Sequence, residues 1–296
     1  MSALSNIITP FAHTLHLSTL PLHIHHLLAG YLFYEFLFTI VSPALSPLSR
    51  SYKALSAPKR IDWHTHVVSF IQCLIINSLA LHAILTSPAS TSPADRLWTY
   101  TPLAGRAQAL AAGYFLWDVR VSIAHFDVLG MSSLIHGIAA LGVTMLGFRP
   151  FANYYGLRFV LYELSTPFLN VHWFCDKMGL TGSSLQLYNG ILLLVSFFGA
   201  RIVWGGWQSW RIYSDVWSVW KDRGIMTKGC EMFWKATWVD VPLQCRELPG
   251  WLGGFYVGAN TALTVLNVYW FGKMVQAVRR RFVVAEKMER DEKKES

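Results

Sequence analysis

Apolar stretches of about 20 residues recur along this chain, separated by polar or basic segments. Roughly 30 Å of hydrocarbon requires about that many helical residues, so each stretch predicts a membrane-spanning helix. They fall at residues 23–42, 63–86, 106–124, 130–148, 153–172, 185–205 and 251–275. The predicted class is therefore an all-α, multi-pass integral membrane protein with about seven transmembrane helices. The connecting loops are short except 43–62 and 206–250. Residues 1–57 read as an N-terminal segment with the first span and a basic loop. Residues 58–280 read as one membrane domain and 281–296 as a charged tail. No internal repeat is visible.

Polar residues interrupt these spans at helical spacing. Unpaired polar groups are costly in hydrocarbon, so they should turn inward and find one another. In 153–172, Glu163, Thr166 and Asn170 stand at i, i+3 and i+7 on one face. Pro167 lies among them. Its ring pushes on the carbonyl four residues back, so the expected kink exposes the Glu163 carbonyl. In 106–124, Tyr114, Asp118 and Ser122 form a second stripe that continues to His125. An ionisable residue inside a span is a functional-site hypothesis. The competing reading pairs Asp118 with Arg201 or Arg120 for packing. In 130–148, Ser132, Ser133 and His136 share a face. His136 is either a hydrogen-bonded core residue or a general base. Asn260, Thr264 and Asn267 mark the last span, and Ser69, Gln72 and Asn77 the second. Glu35 stands alone among aromatics in the first. A ring of helices around a polar cavity, open to one side, satisfies all these stripes together.

Composition agrees with a membrane protein. The 296 residues are 53% hydrophobic and only 14% charged, against about 25% charged in soluble domains. The 13 Trp, 12 Tyr and 18 Phe suit repeated crossings of the interface. The net charge of +8 comes from loop ends, which favours anionic lipid headgroups over nucleic acid. Arg50, Lys53, Lys59 and Arg60, together with Arg279, Arg280 and Arg281, predict that the first loop and the C-terminus are cytosolic. Loop 206–250 carries basic residues on the opposite side. Its "WGGWQSWRIYSDVWSVW" reads as an interfacial amphipathic helix or an eighth span. The first span serves as an uncleaved insertion signal, because "MSALSNIITPFAHTLHLSTLPLHIHH" lacks a basic leader. The end "DEKKES" matches no retrieval or lipidation motif. Cys230 and Cys245 share a loop and would pair if it faced an oxidising lumen. His16, His23, His25 and His26 lack a nearby cysteine or a carboxylate other than Glu35, so no metal is expected there.

Several short segments resemble one known family. "WHTHVVS", "GYFLWD", "LIHGIAAL", "YELSTPFLNVHWF", "FFGARI" and "LNVYWFGKM" occur in the order and spacing of the TLC (TRAM, LAG and CLN homology) superfamily, from about Trp63 to Arg280. The chain resembles the TLC-domain-containing group more than the ceramide synthases. Where those carry a histidine pair, His136 is followed by Gly137. Where they carry two aspartates, Glu163 is followed by Thr166, and Gln72 replaces a further histidine. The resemblance implies a six-helix bundle around a cavity, in the endoplasmic reticulum, and a connection to lipids. It implies Asp118, His136 and Glu163 as candidate catalytic positions. Tyr114, Ser122, Ser132, Ser133, Thr166, Pro167, Asn170, Arg201, Asn260 and Asn267 are the expected cavity residues. Two principal functions remain open. One is membrane lipid homeostasis, binding or trafficking, with lipids as partners and no cofactor. The other is a sphingolipid N-acyltransferase with acyl-CoA as co-substrate and His136 as base. A lipid transporter is a third reading, with the broken fifth helix as its substrate site.

Overall fold

A computed structural model describes residues 3–87, 90–149, 151–221 and 248–295, with side chains up to residue 279. Helices occupy all seven expected positions, and the described residues contain no strand. A short helix, α1 (Ala3–Thr14), precedes the first crossing, α2 (Leu20–Phe36). A wide turn at Leu37–Val41 and the short α3 (Ser42–Leu45) extend α2 to Leu48. The loop helix α4 (Arg50–Lys53) leads to α5 (Ala57–Thr86). Then come α6 (Pro93–Trp98), α7 (Pro102–Ala124) and α8 (Phe126–Leu146). A broken pair follows, α9 (Asn153–Val160) and α10 (Thr166–Lys177). The last elements are α11 (Ser184–Phe197), α12 (Gly205–Lys221) and α13 (Gly250–Glu295).

Local chemistry explains where several of these helices begin. Pro sits in the first turn of α2, α5, α6, α7 and α10, where its missing N–H costs nothing. Ser92 and Asp95 form a reciprocal capping box on α6, and Ser183 caps α11. Gly130 adopts φ +76°, a conformation open to glycine, so the regular part of α8 starts just after it.

Among the described residues, four helical segments are long and apolar enough to cross a membrane: Leu20–Leu48, Ala57–Thr86, Phe126–Leu146 and Ser184–Lys221. The other three expected crossings are more polar for identifiable reasons. Helix α7 is enclosed by its neighbours, with Ala104, Ala107, Ala111, Ala112 and Trp117 buried along its length, so it need not match lipid. The α9–α10 pair is interrupted by a 3₁₀ turn at Leu161–Ser165. Helix α13 continues beyond its apolar part into the charged 281–295 segment.

The Trp-rich segment differs from expectation. It is not a separate helix. Together with a wide turn at Phe198–Trp204 it continues α11 into α12 as one 38-residue helix. At 1.5 Å per residue this is about 57 Å, so it must project beyond ~30 Å of hydrocarbon. The reason is a polar inner face. Arg96 on α6 grips Asp215 in two bonds, Nε–Oδ2 at 2.7 Å and Nη2–Oδ1 at 2.6 Å, and the Tyr155 hydroxyl donates to Oδ2. Trp207, Trp210, Trp217 and Trp220 face outward. The Cys230 and Cys245 pairing expectation lies outside the described residues.

The helices alternate in direction. Helices α2 and α7 run parallel, with His23 beside Gly105 and Glu35 paired with Arg120. Helix α13 runs antiparallel to α8, since Phe255 meets Gly142 and Trp270 donates to Ser132. The first loop and the far end of α13 thus share one end of the bundle, called here the basic end.

The α2–α7 seam depends on absent side chains. A Cβ on Gly113 would collide with the Leu27 carbonyl oxygen and stand 2.8 Å from the Tyr31 nitrogen. On Gly30 it would meet the Leu110 carbonyl at 3.1 Å, a milder contact. Such small residues let helices approach closely where the hydrophobic effect does not drive them together. Gly113→Ala should therefore lower the apparent melting temperature in detergent more than Gly30→Ala. Gly258→Ala, which has nothing within 4 Å of the new methyl, should be neutral or stabilising. Thermal unfolding followed by fluorescence-detected size exclusion reads the order directly, and equal effects at the three glycines would refute the close seam.

Candidate functional site

The bundle encloses a long, narrow cavity. Its volume is about 70 Å³. The lining spans Tyr256 to Asn267 on α13, about 16 Å of helix. Ala111, Phe115, Ala140, Val143 and Leu263 line its length. Gln108 and Thr144 lie toward one end, near Phe151 and Tyr256. Gln72, His136, Glu163 and Asn267 lie toward the basic end. The interior therefore combines an apolar middle with hydrogen-bonding groups.

The polar cluster at the basic end is organised by Arg201. This residue is buried, and its guanidinium binds four partners. Nε donates to the Tyr162 carbonyl at 3.1 Å and to Ser165 Oγ at 3.0 Å. Nη1 donates to Asn267 Oδ1 and Nη2 to Thr166 Oγ1, both at 3.1 Å. Glu163 Oε1 stands 3.8 Å from Nη2, and Thr166 Oγ1 donates to Glu163 Oε2 at 2.7 Å. The other face of the guanidinium lies 5.0 Å from the Phe197 ring centre. A buried cation requires such saturation, because desolvation removes several kcal/mol of hydration.

This network also corrects the reading of Pro167. The Glu163 carbonyl is not left exposed, because the Thr166 N–H bonds it within the 3₁₀ turn. The acceptor that gains a side-chain donor is Tyr162, one residue earlier. Pro167 starts α10, and the tightened turn at Leu161–Ser165 absorbs the break.

The sequence-derived residues separate into three groups. His136, Glu163, Asn260 and Asn267 line the cavity. Thr166 and Arg201 stand behind it, bonded to Glu163. The rest serve helix contacts. Asn170 joins α10 to α5 through His66 at 2.6 Å and Ser69 at 3.2 Å. Ser132 accepts from Trp270, and Ser133 donates to the Leu129 carbonyl. Tyr114 packs among Tyr34, Phe115 and Trp117. Ser122 is fully buried outside the lining, and Pro167 is a helix start. Asn260 is itself engaged by the Tyr213 hydroxyl at 2.8 Å.

Asp118 pairs with neither expected arginine. Arg120 is taken by Glu35, which is therefore not alone, and Arg201 by Glu163. Asp118 lies against α8, where a Cβ on Gly137 would be 2.9 Å from its Oδ2. The glycine that replaces the second histidine of the synthase pattern thus leaves room for this carboxylate. Asp118, His136 and Arg201 all lie within electrostatic reach of Glu163. Two buried polar atoms at this end, Gln72 Oε1 and His136 Nδ1, have no protein partner. Tyr162, Gln108 and Thr144 were not singled out from the sequence. Gln108 and Thr144 lie about two turns from the polar residues that mark their helices. Among the described residues no three His, Cys, Asp or Glu side chains gather in a metal-binding group. His23 instead bonds Tyr100, with His25 and His26 packed alongside.

Removing one partner of a buried ion pair costs about 3–5 kcal/mol. Arg201→Met should lower the melting temperature sharply. Glu163→Gln in the same chain should restore part of that loss, because no unpaired carboxylate remains. A double-mutant thermal cycle in detergent checks this, and strictly additive losses would show that the two residues are not coupled.

Comparison with known proteins supplies the lineage. A family model described as the TLC domain matches residues 62–276. An uncharacterized TLC domain-containing protein of Schizosaccharomyces pombe is 35% identical over 280 residues, 94% of this chain and 87% of its own length. Topoisomerase I damage affected protein 4 of Saccharomyces cerevisiae is 30% identical over 87% of this chain and 85% of its own. Human TLC domain-containing protein 4 is 34% identical over 57% of this chain and 65% of its own. With the family model covering most of the helical bundle and its cavity, this chain belongs to the TLC domain family.

Proposed function

We propose that the protein binds a lipid, holding one hydrocarbon chain in the bundle cavity, and that it acts in membrane lipid homeostasis or trafficking. The observation that carries this reading is the shape and lining of the cavity. It is about 16 Å long, narrow, and apolar along its middle. Pockets of this kind, apolar with a few placed polar groups, suit small amphiphiles. A saturated chain fills such a slot through dispersion and exclusion of water. Gln72 and His136 offer unpaired acceptors at the basic end. A headgroup that donates hydrogen bonds, through a hydroxyl or an amide N–H, would satisfy them. Location in the endoplasmic reticulum, with the basic end facing the cytosol, fits the Arg50–Arg60 loop by the positive-inside rule.

One observation supports a second reading, an acyl-CoA-dependent N-acyltransferase. His136 lines the cavity with Nδ1 unpartnered, so it is placed to accept a proton. Two features weigh against it. Glu163 is already bound to Arg201 and Thr166 and does not hold the imidazole. Asp118 fills the space beside Gly137 that a second histidine would need. The transporter reading has no comparable support.

The test is lipid extraction from protein purified in a mild detergent, followed by mass spectrometry. Wild type should retain about one equivalent of a chain-bearing lipid. Ala140→Trp, which fills the middle of the cavity, should retain less than a tenth of that while still eluting as a folded species. Full retention in this variant would overturn the binding reading. Incubation with long-chain acyl-CoA and an amine acceptor separates the alternatives. Product formation abolished in His136→Ala would establish the enzyme, whereas retained lipid without product supports binding alone.

A further inference from the structure

A second cavity lies at the opposite end of the bundle from the basic loop, where α5 ends and α7 and α9 begin. It is wider and more polar than the first, about 320 Å³, and Leu157 is the lining residue shared with the narrow cavity's wall. Ser87, Ser90, Thr99, Thr101, Asn153 and Arg158 line it. Nothing in the lipid-binding reading uses this vestibule.

The charges here do not balance. Arg158 lies flat on the Tyr154 ring, its guanidinium carbon 3.3 Å from the ring centre, and Nη1 donates to the Tyr154 carbonyl at 2.8 Å. Arg211 on α12 approaches the same ring at 5.8 Å and reaches its hydroxyl at 3.4 Å. Both guanidiniums thus approach the one Tyr154 ring, which brings two positive charges near each other. Among the described residues, neither has a carboxylate partner. The nearest acid along α12 is Asp215, four residues beyond Arg211. It is fully committed to Arg96 and Tyr155. Three arginines and one aspartate leave two positive charges beside a cavity lined with hydroxyls.

Asn153 borders the vestibule and is 2% exposed, with Nδ2 donating to the Gly147 carbonyl at 3.2 Å. A ligand for this place is anionic and accepts from guanidinium and hydroxyl groups. A phosphate monoester does both, and its dianion matches two positive charges where a diester carries a single negative charge.

We propose that this vestibule binds a phosphate monoester, with Arg158 in its lining, Arg211 behind the shared Tyr154 ring, and the lining hydroxyls as donors. The source is either the headgroup of a membrane lipid or free phosphate. Arg158 supplies the planar N–H edge that phosphate recognition favours. Two cations with no carboxylate partner are stable side by side only with an anion or water between them.

The test uses full-length protein in a neutral detergent, with melting followed by tryptophan fluorescence. Four probes are titrated: dihexanoyl phosphatidic acid, inorganic phosphate, dihexanoyl phosphatidylglycerol as a diester, and dihexanoyl phosphatidylcholine. Phosphatidic acid should raise the wild-type melting temperature. The diester and the zwitterion should need at least tenfold higher concentrations for the same rise. If inorganic phosphate reproduces the rise, the ligand is phosphate itself; if it does not, the lipid headgroup is the source. Arg158→Gln and Arg211→Gln should each lose the rise. Without ligand, neither should melt below wild type, because each relieves repulsion; a purely structural arginine would behave in the opposite way. Equal responses in wild type and both variants, or equal response to monoester and diester, would overturn the assignment. Lipid retained in the narrow cavity is unaffected by either result, so the two readings fail independently.

Discussion

The burial of one arginine organises the centre of this protein. Hydrocarbon offers no water to a guanidinium, so Arg201 must find all its acceptors within the fold. It finds them on three separate elements: the turn at Tyr162 and Ser165, Thr166 at the head of α10, and Asn267 on α13. That demand explains why α9 and α10 are not one straight helix. The 3₁₀ turn presents a carbonyl, a serine and a threonine to one cation, and a regular helix would keep the carbonyl for itself. Glu163 then completes the charge balance at the wall of the cavity.

A second rule governs the remaining polar groups. Each span carries a polar stripe, yet most stripes are spent on neighbouring helices rather than on an open interior. Asn170 is used by His66 and Ser69, Asn260 by Tyr213, and Ser132 by Trp270. Deeper in the basic loop, Ser42 and Tyr52 occupy the two ring nitrogens of His64 at 2.7 and 3.0 Å, which fixes that loop against α5. Among the atoms left without a hydrogen-bond partner, Gln72 Oε1 and His136 Nδ1 stand at one end of the bundle and Asn153 Oδ1 at the other. The cavity remains narrow because the groups around it already satisfy one another.

The TLC family match and the geometry bear on different questions. Family membership accounts for the bundle and for the Glu163–Thr166–Pro167 turn, which lies within the matched region. The geometry bears on the residues by which this chain departs from the synthase pattern. Gly137 leaves room for the Asp118 carboxylate, and Thr166 bonds both Glu163 and Arg201. Each has a structural task in this chain.

The amino-acid sequence alone determined the all-helical membrane class and the places of the main apolar helices, because apolar length and helical spacing are local properties that the bilayer reads directly. It also marked Glu163, His136 and Asn267 as inward-facing, since a polar residue in hydrocarbon has few other places to go. Partner choice was decided only in three dimensions. Arg120 took Glu35, Arg201 took Glu163, and Asp118 was left without an arginine. Spacing cannot reveal this, because each pair joins helices far apart in the chain. The same holds for α12. Its Trp-rich sequence looks interfacial, but Asp215 finds Arg96 some 119 residues away and holds the helix upright against the bundle. Periodicity says which face of a helix is polar, and packing decides which polar group it meets.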